Sequence, residues 1–382
     1  MISKTNQANS KGINTMPSSD KKEQMAIDRP SFRVKLLRFF ERIGYRRENS
    51  VLGLDIGNWA IKLVELCYTK QGWKLLDADM EMVSDSPLED LKRILQRRKS
   101  KTDKVISAIS PDSVIEHTVE LPQVKEKELR QMLNWEVRKS IDSPPQEIVW
   151  DYFQIGESKE EKQLRIFLAI SQKKAIKKQL NLIQSCGLKV LAFETKPLAL
   201  YHILRLAEPS FHQNSLMLVD LGLDSSHLIM AKEGILSMSR SIGFGGKQIT
   251  TTLSNILGCG TGEVEKLKAN VNIYEEAESG TVNINRIIQN QLDNLLMEIQ
   301  RSSDFFLTEN PKSKINKIIL AGGTAKLGSL DRYLKERLNI EVGLFDPSEF
   351  IQLDQYQGER QKLERLWPHL AVALGLATWR EK

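Results

Sequence analysis

The chain reads as an α/β protein of two domains, each opening on the same kind of β-hairpin. Two segments carry that reading, Leu52-Gly53-Leu54-Asp55-Ile56-Gly57 and Leu218-Val219-Asp220-Leu221-Gly222. Each is an apolar run that reaches an aspartate with a glycine two positions later. Each leaves through a second β-rich run, Ile61 to Leu66 in one and His227 to Met230 in the other. A third segment, Lys317 to Ala325, is an apolar strand running into Gly322-Gly323, followed by Lys326, Leu327, Gly328 and a helical stretch from Ser329.

Taken in chain order, residues 1–30 are rich in Ser, Asn, Lys and Gln without periodicity and are expected to be a disordered tail. Residues 31–48 predict a basic amphipathic helix. Phe32, Leu36, Phe39, Phe40 and Ile43 gather on one side, while Arg33, Lys35, Arg38, Arg42, Arg46 and Arg47 supply the cationic remainder. Such a helix suits attachment to an anionic membrane surface or to a partner, or it packs its apolar face on its own domain. It accounts for most of the formal net charge of +6, and no recognition motif accompanies it, so nucleic acid is not the expected partner.

At 382 residues, 41% hydrophobic and 27% charged, the chain is long enough for two cored domains and falls in the ordinary soluble class. Its three cysteines, Cys67, Cys186 and Cys259, show no CxxC or Cys/His spacing, which argues against a disulfide framework or a zinc site and for a reducing, cytoplasmic setting. No apolar run reaches membrane-spanning length, and the N-terminus is too polar for a signal peptide.

The hairpins have a specific chemistry. A turn glycine lets backbone N–H groups approach phosphate oxygens closely, and an aspartate at a strand end can hold hydrated magnesium beside them. Two hairpins face to face would clamp a polyphosphate; one alone is only a β-turn. The strand entering Gly322-Gly323 ahead of a helix offers unpaired N–H groups for the same purpose. Between the hairpins lies an α/β stretch, with strands expected over Val105 to Ile109, Val114 to Leu121, Ile148 to Ile155 and Leu164 to Ile170, and helices over Lys125 to Ile141 and Lys173 to Gln184. Trp135 and Trp150 within it read first as core aromatics.

The order of these motifs resembles the actin-like ATPase superfamily, and within it the type IV pilus assembly family PilM, related to the division protein FtsA. Besides the three glycine turns, Ile61 to Leu66, Ile242 to Thr250, Gly262 to Lys268 and Glu298 to Phe306 carry the resemblance, which spans Val51 to Trp379. It implies duplicated RNase H-like domains. The first would cover 49–198 with a small α/β subdomain inserted at about 111–188, and the second, nucleotide-binding, would cover 199–382.

The resemblance also implies ATP and Mg2+ as cofactors. Asp55 and Asp220 would hold magnesium through waters, with Gly57 and Gly222 admitting the phosphates. Asn58-Trp59-Ala60 replaces the small hydroxyl residues usual in relatives, although the Asn58 amide still donates. Lys62 would face the β-phosphate or an acidic neighbour, and Ser225 and Ser226 would donate to phosphates. Gly245 and Gly246 would let their loop approach the nucleotide. Glu265 and Lys268, three apart, would reach ribose and base or form a surface ion pair. Arg301 and Ser302 would flank the base, and Gly322, Gly323 and Lys326 would border it. Glu194 is the candidate for orienting a hydrolytic water, or else it caps the helix beginning near Pro197.

The function implied by the resemblance is that of a cytoplasmic, ATP-binding scaffold, peripheral at the inner membrane, with weak or absent turnover. It would dock the N-terminal cytoplasmic peptide of a PilN-like inner-membrane protein, with Leu121-Pro122, Asn134-Trp135-Glu136 and Asp151-Tyr152 as landmarks of the docking subdomain. Other inner-membrane pilus components and self-association are further expectations. A sugar-kinase-like phosphotransferase and an FtsA-like polymerising tether are the alternatives. Against the latter, Leu370 to Trp379 reads as an apolar helix packed on the second domain rather than as a membrane anchor.

Overall fold

A computed structural model describes residues 50–99, 102–158, 163–275 and 283–378. The tail expected over 1–30 and the basic helix expected over 31–48 lie outside the described residues, as does Trp379.

The first sheet starts as a meander of β1 (Val51–Ile56), β2 (Ala60–Thr69) and β3 (Gly72–Met82), with α1 (Pro87–Gln96) returning the chain to β4 (Lys104–Ala108). The chain then leaves through β5 (Val114–Pro122), α2 (Glu126–Ser140), β6 (Ile148–Ser158), β7 (Gln163–Gln172) and α3 (Lys173–Gln184), and comes back as β8 (Lys189–Glu194). Helix α4 (Lys196–Ala207) crosses to the second half. There β9 (Ser215–Leu221), β10 (Ser226–Lys232) and β11 (Ile235–Ile242) form another meander, followed by α5 (Gly246–Leu257), α6 (Thr261–Asn270) and α7 (Ile284–Glu309). The chain ends through β12 (Ile315–Ala321), α8 (Leu330–Leu338), β13 (Glu341–Leu344), β14 (Ile351–Gln352) and α9 (Arg360–Ala377).

The two sheets share one strand order, β3-β2-β1-β4-β8 and β11-β10-β9-β12-β13, so the unit that opens each half extends to a whole five-stranded sheet. In both, the hairpin arm is antiparallel and the later strands pair in parallel. Strands β1 and β9 are central and almost entirely buried, which is why they read as continuous apolar runs ending at an aspartate rather than as alternating ones.

The inserted subdomain is tighter than the expected 111–188. Its sheet, β5-β7-β6, closes on Leu129, Leu133 and Val137 of α2 to make a small core of its own. Helix α3 instead covers the first sheet. Its Ile183 packs with Leu52, Leu54 and Val105, and Gln179 Nε2 donates to the Ala108 carbonyl at 2.6 Å. Trp135 is not a core aromatic: it is 58% exposed on α2, with Lys139 Nζ 3.0 Å from its ring centroid. Trp150 is half-buried against the subdomain core.

The C-terminal helix corrects the expectation that it packs on the second domain. Helix α9 lies on β1, β2 and β4 of the first sheet and against α4, with a lesser contact to β12, and β14 pairs with β3. The final stretch assigned to a domain over 199–382 therefore returns to the first sheet, and the 198/199 boundary falls inside α4. The close approach depends on two glycines. A Cβ at Gly53 would stand 1.9 Å from the Ala373 carbonyl oxygen, and one at Gly375 would stand 2.0 Å from that of Ala199. Leu198 to Leu204 and Leu370 to Ala377 thereby form the centre of the largest core, which draws side chains from both sheets.

Candidate functional site

The ends of β1 and β9 meet across a cavity of about 440 Å³, within the size range of small-molecule sites. Hairpin register sets its floor. Asp55 pairs with Lys62 across the first turn and Asp220 pairs with His227 across the second, each partner seven residues on. Side chains at directly paired positions share one face of a sheet, so each aspartate brings a second polar group to the cavity.

Asp55 is 1% exposed. Lys62 Nζ donates to its Oδ2 at 2.8 Å, and Lys196 Nζ lies 3.1 Å from Oδ1. Burial alone would raise the Asp55 pKa, but the two ammonium groups outweigh it and hold the carboxyl well below the usual carboxylate range. At Asp220 the balance is reversed, and burial pushes its pKa up against the pull of Lys196 and Lys62. Burial also lowers His227 to about 4, with Lys196 adding to the effect, so its imidazole is neutral at physiological pH.

Of the glycines, Gly57, Gly222, Gly246, Gly322 and Gly323 line the cavity. Gly322 has φ +85°, a conformation that favours glycine, and its N–H donates to the Pro368 carbonyl of α9 at 2.6 Å. Gly245 serves differently: a Cβ there would stand 2.1 Å from the Leu223 carbonyl, so it allows the two loops to close rather than lining the cavity. Ser225 lines the cavity; Ser226 does not, because it is fully buried and its hydroxyl donates to the Phe244 carbonyl at 2.7 Å.

On the wall formed by α5 and α6, Lys268 Nζ donates to Glu265 Oε1 at 3.0 Å, to Thr250 Oγ1 at 2.8 Å and to the Gly246 carbonyl at 3.1 Å, and the Thr250 hydroxyl also bonds Glu265. The pair is therefore cavity-lining and not a solvated surface bridge. Lys326 lines the opposite side, and burial lowers its pKa.

The first loop reaches the second across the opening. Asn58 Nδ2 donates to Asp224 Oδ2 at 3.0 Å, and Lys247 Nζ holds the other oxygen at 3.1 Å. Trp59 stacks on His369 of α9, with centroids 6.0 Å apart and planes 22° apart, and both line the cavity. Burial, reinforced by Lys326 and Lys62, lowers His369 to about 4.

Three expected residues are elsewhere. Ser302 is buried in α7, where its hydroxyl donates to the Glu298 carbonyl and accepts from Arg240 of β11, and neighbouring Arg301 is exposed and pairs with Glu298. Ser302 thus faces the edge strand β11 and Arg301 faces solvent. Glu194 is buried but does not line the cavity; its Oε1 accepts from the Thr195 N–H just ahead of α4, and no side chain caps that helix. Lys196, two residues on, enters the cavity instead. Lys196, His227 and His369 are the site residues that sequence reasoning missed. His227 alone had a legible signal, the seven-residue offset it shares with Lys62.

Magnesium was expected on Asp55 and Asp220 through waters. Both oxygens of Asp55 face ammonium groups, and among the described residues no group of three or more His, Cys, Asp or Glu side chains could hold a metal ion. With an ammonium against each of its oxygens, Asp55 does not fit a directly coordinated divalent cation.

Residues 53–381 match the family model described as type IV pilus assembly protein PilM. A solved PilM-PilN type IV pilus biogenesis complex is similar at a TM-score of 0.74 and 24% identity, over 86% of this chain and 97% of that one. The ethanolamine utilization protein EutJ from Carboxydothermus hydrogenoformans is similar at a TM-score of 0.51 and 14% identity, over 92% and 100%.

Proposed function

The chain belongs to the type IV pilus assembly protein PilM family and has an actin-like fold, and from that premise we propose that it is a scaffold of the pilus assembly machinery that binds ATP in the cleft between its sheets. The observation that carries the nucleotide reading is the cavity itself. Two glycine hairpins, a third glycine turn and the ammonium groups of Lys62, Lys196, Lys268 and Lys326 converge on one cleft. Backbone N–H groups at such turns and several lysines are what a polyphosphate requires. The stacked Trp59 and His369 add an aromatic wall.

Binding exceeds turnover in this reading. A hydrolytic water needs a group to orient it, and Glu194 is committed to the Thr195 N–H. The similar solved complex is one of PilM with PilN, and the corresponding partner here is the cytoplasmic N-terminal peptide of a PilN-like protein. The inserted subdomain offers an apolar, cation-flanked surface at Trp135 and Lys139 for such a contact. No described helix is long and apolar enough to cross a membrane; the partner, with the basic stretch at 31–48, would supply the inner-membrane attachment. Other inner-membrane components of the machine and further copies of the chain are additional partners in this reading.

The test is calorimetric titration with ATP, followed by titration with a PilN-like N-terminal peptide at zero and saturating nucleotide. Saturable ATP binding that changes peptide affinity is expected. Absence of ATP binding would leave a docking platform without a nucleotide switch.

A further inference from the structure

Resting on the nucleotide reading above, we propose that Lys196 is the cation of this site: its ammonium lies against Asp55 in the cavity that Asp220 also lines, so ATP binds here without needing magnesium. Lys196 is the first residue of α4, directly after the β8 strand end, and its side chain is 12% exposed. Its Nζ lies 3.1 Å from Asp55 Oδ1, on the side of the carboxylate opposite Lys62, whose Nζ is 2.8 Å from Oδ2. Asp55, Asp220 and Asp112 all act on Lys196 and favour its charged form against burial.

The charge count supports this reading. Asp55 and Asp220 bring two negative charges, and Lys62 and Lys196 bring two positive ones, all facing the same cavity floor. Asp55 is neutralised before any ligand enters, by ion pairs to both lysines. A magnesium ion placed between the aspartates would meet two ammonium groups at close range, whereas a polyphosphate arriving above them finds donors already charged and directed by ion pairs. A Cβ at Gly57 would lie 3.3 Å from Lys62 Nζ, so that ammonium sits directly beside the glycine turn. In this arrangement the metal travels with the nucleotide or is absent; it is not held by the protein.

The experiment is calorimetric titration of the full chain with ATP in excess EDTA and again in millimolar magnesium, together with magnesium titrated alone. The expected result is ATP affinity in EDTA within about threefold of that in magnesium, and no heat from magnesium alone. ATP binding that weakens more than about tenfold in EDTA overturns the proposal while leaving the nucleotide reading standing. No binding in either buffer overturns both. Lys196→Met, which keeps the bulk and removes the charge, should weaken binding in EDTA about tenfold or more while magnesium restores most of it. Equal losses in both buffers would show Lys196 to be an ordinary phosphate contact, against the proposal. The wild-type comparison decides the matter even if that variant fails to fold.

Discussion

Asn58 Nδ2 donates to Asp224 Oδ2 at 3.0 Å, joining the loop of the first hairpin to the loop of the second, 166 residues later in the chain. The contact is exposed, and Lys247 holds the same carboxylate from α5. It therefore bridges the mouth of the cleft while engaging an amide and an ammonium that a phosphate could use. An exposed hydrogen bond of this kind contributes about 1 kcal/mol, enough to bias opening and too little to hold the domains together.

Asp224→Ala should therefore release Asn58 and Lys247 without unfolding the protein. The expected outcome is faster and about threefold to tenfold tighter ATP binding, with a change in unfolding free energy of under ~1 kcal/mol, measured by stopped-flow binding and urea denaturation. Weaker ATP binding would instead make Asp224 a ligand contact.

Asp55→Ala has a different consequence from the one its place at a strand end suggests. Asp55 is buried, and its removal leaves Lys62 and Lys196 unpaired in the cavity floor. Breaking one side of a buried ion pair costs about 3–5 kcal/mol, so the variant should be markedly less stable as well as deficient in ATP binding. Adding Lys196→Met should recover part of that loss. Urea midpoints of the wild type and of the single and double variants measure the coupling directly.

His369 gives a pH dependence of definite sign. Its pKa is about 4 in the folded protein against an ordinary 6.5, so the unfolded chain takes up the proton first on acidification. The stability contributed by the neutral imidazole is fully present above pH 6.5 and is lost as pH falls from 6.5 toward 4. Between pH 7 and 5 the loss amounts to about 1–2 kcal/mol, and His369→Gln should flatten the stability profile over that interval.

Glu116 acts in the opposite sense. Burial first, and then the nearby Glu194 carboxylate, raise its pKa to about 8. A folded pKa above the ordinary 4.5 means that the contribution of the neutral acid is complete below 4.5 and is lost as pH rises through 8. Relative to the wild type, Glu116→Gln should gain about 3–4 kcal/mol of stability between pH 5 and pH 8.5, as read from thermal unfolding at both values.

Gly53→Ala and Gly375→Ala should each destabilise by about 3 kcal/mol or more, because the new Cβ would meet backbone carbonyls that have no rotamer by which to move away. Trp135→Ala, on the exposed face of α2, should change stability by under ~0.5 kcal/mol. Chemical denaturation of the three variants checks the contrast.

The residue pattern alone determined what is local in this protein. Apolar runs ending in Asp-x-Gly specify the two hairpins, because strand periodicity and the turn glycine both act within about ten residues. The strands and helices of the inserted subdomain were legible for the same reason. Tertiary structure decided which side chains reach the cleft. Glu194, Thr195 and Lys196 are consecutive, yet only Lys196 lines the cavity, because the direction of a side chain at a strand-to-helix junction depends on how α4 leaves β8. The same holds for Ser302, whose face on α7 is set by what that helix packs against, and for His369, brought in by a helix from the far end of the chain. An apolar helix such as α9 is compatible with either sheet. The choice is made at Gly53, whose missing side chain lets the α9 backbone approach β1, a complementarity of shape between segments more than 300 residues apart that no local pattern encodes.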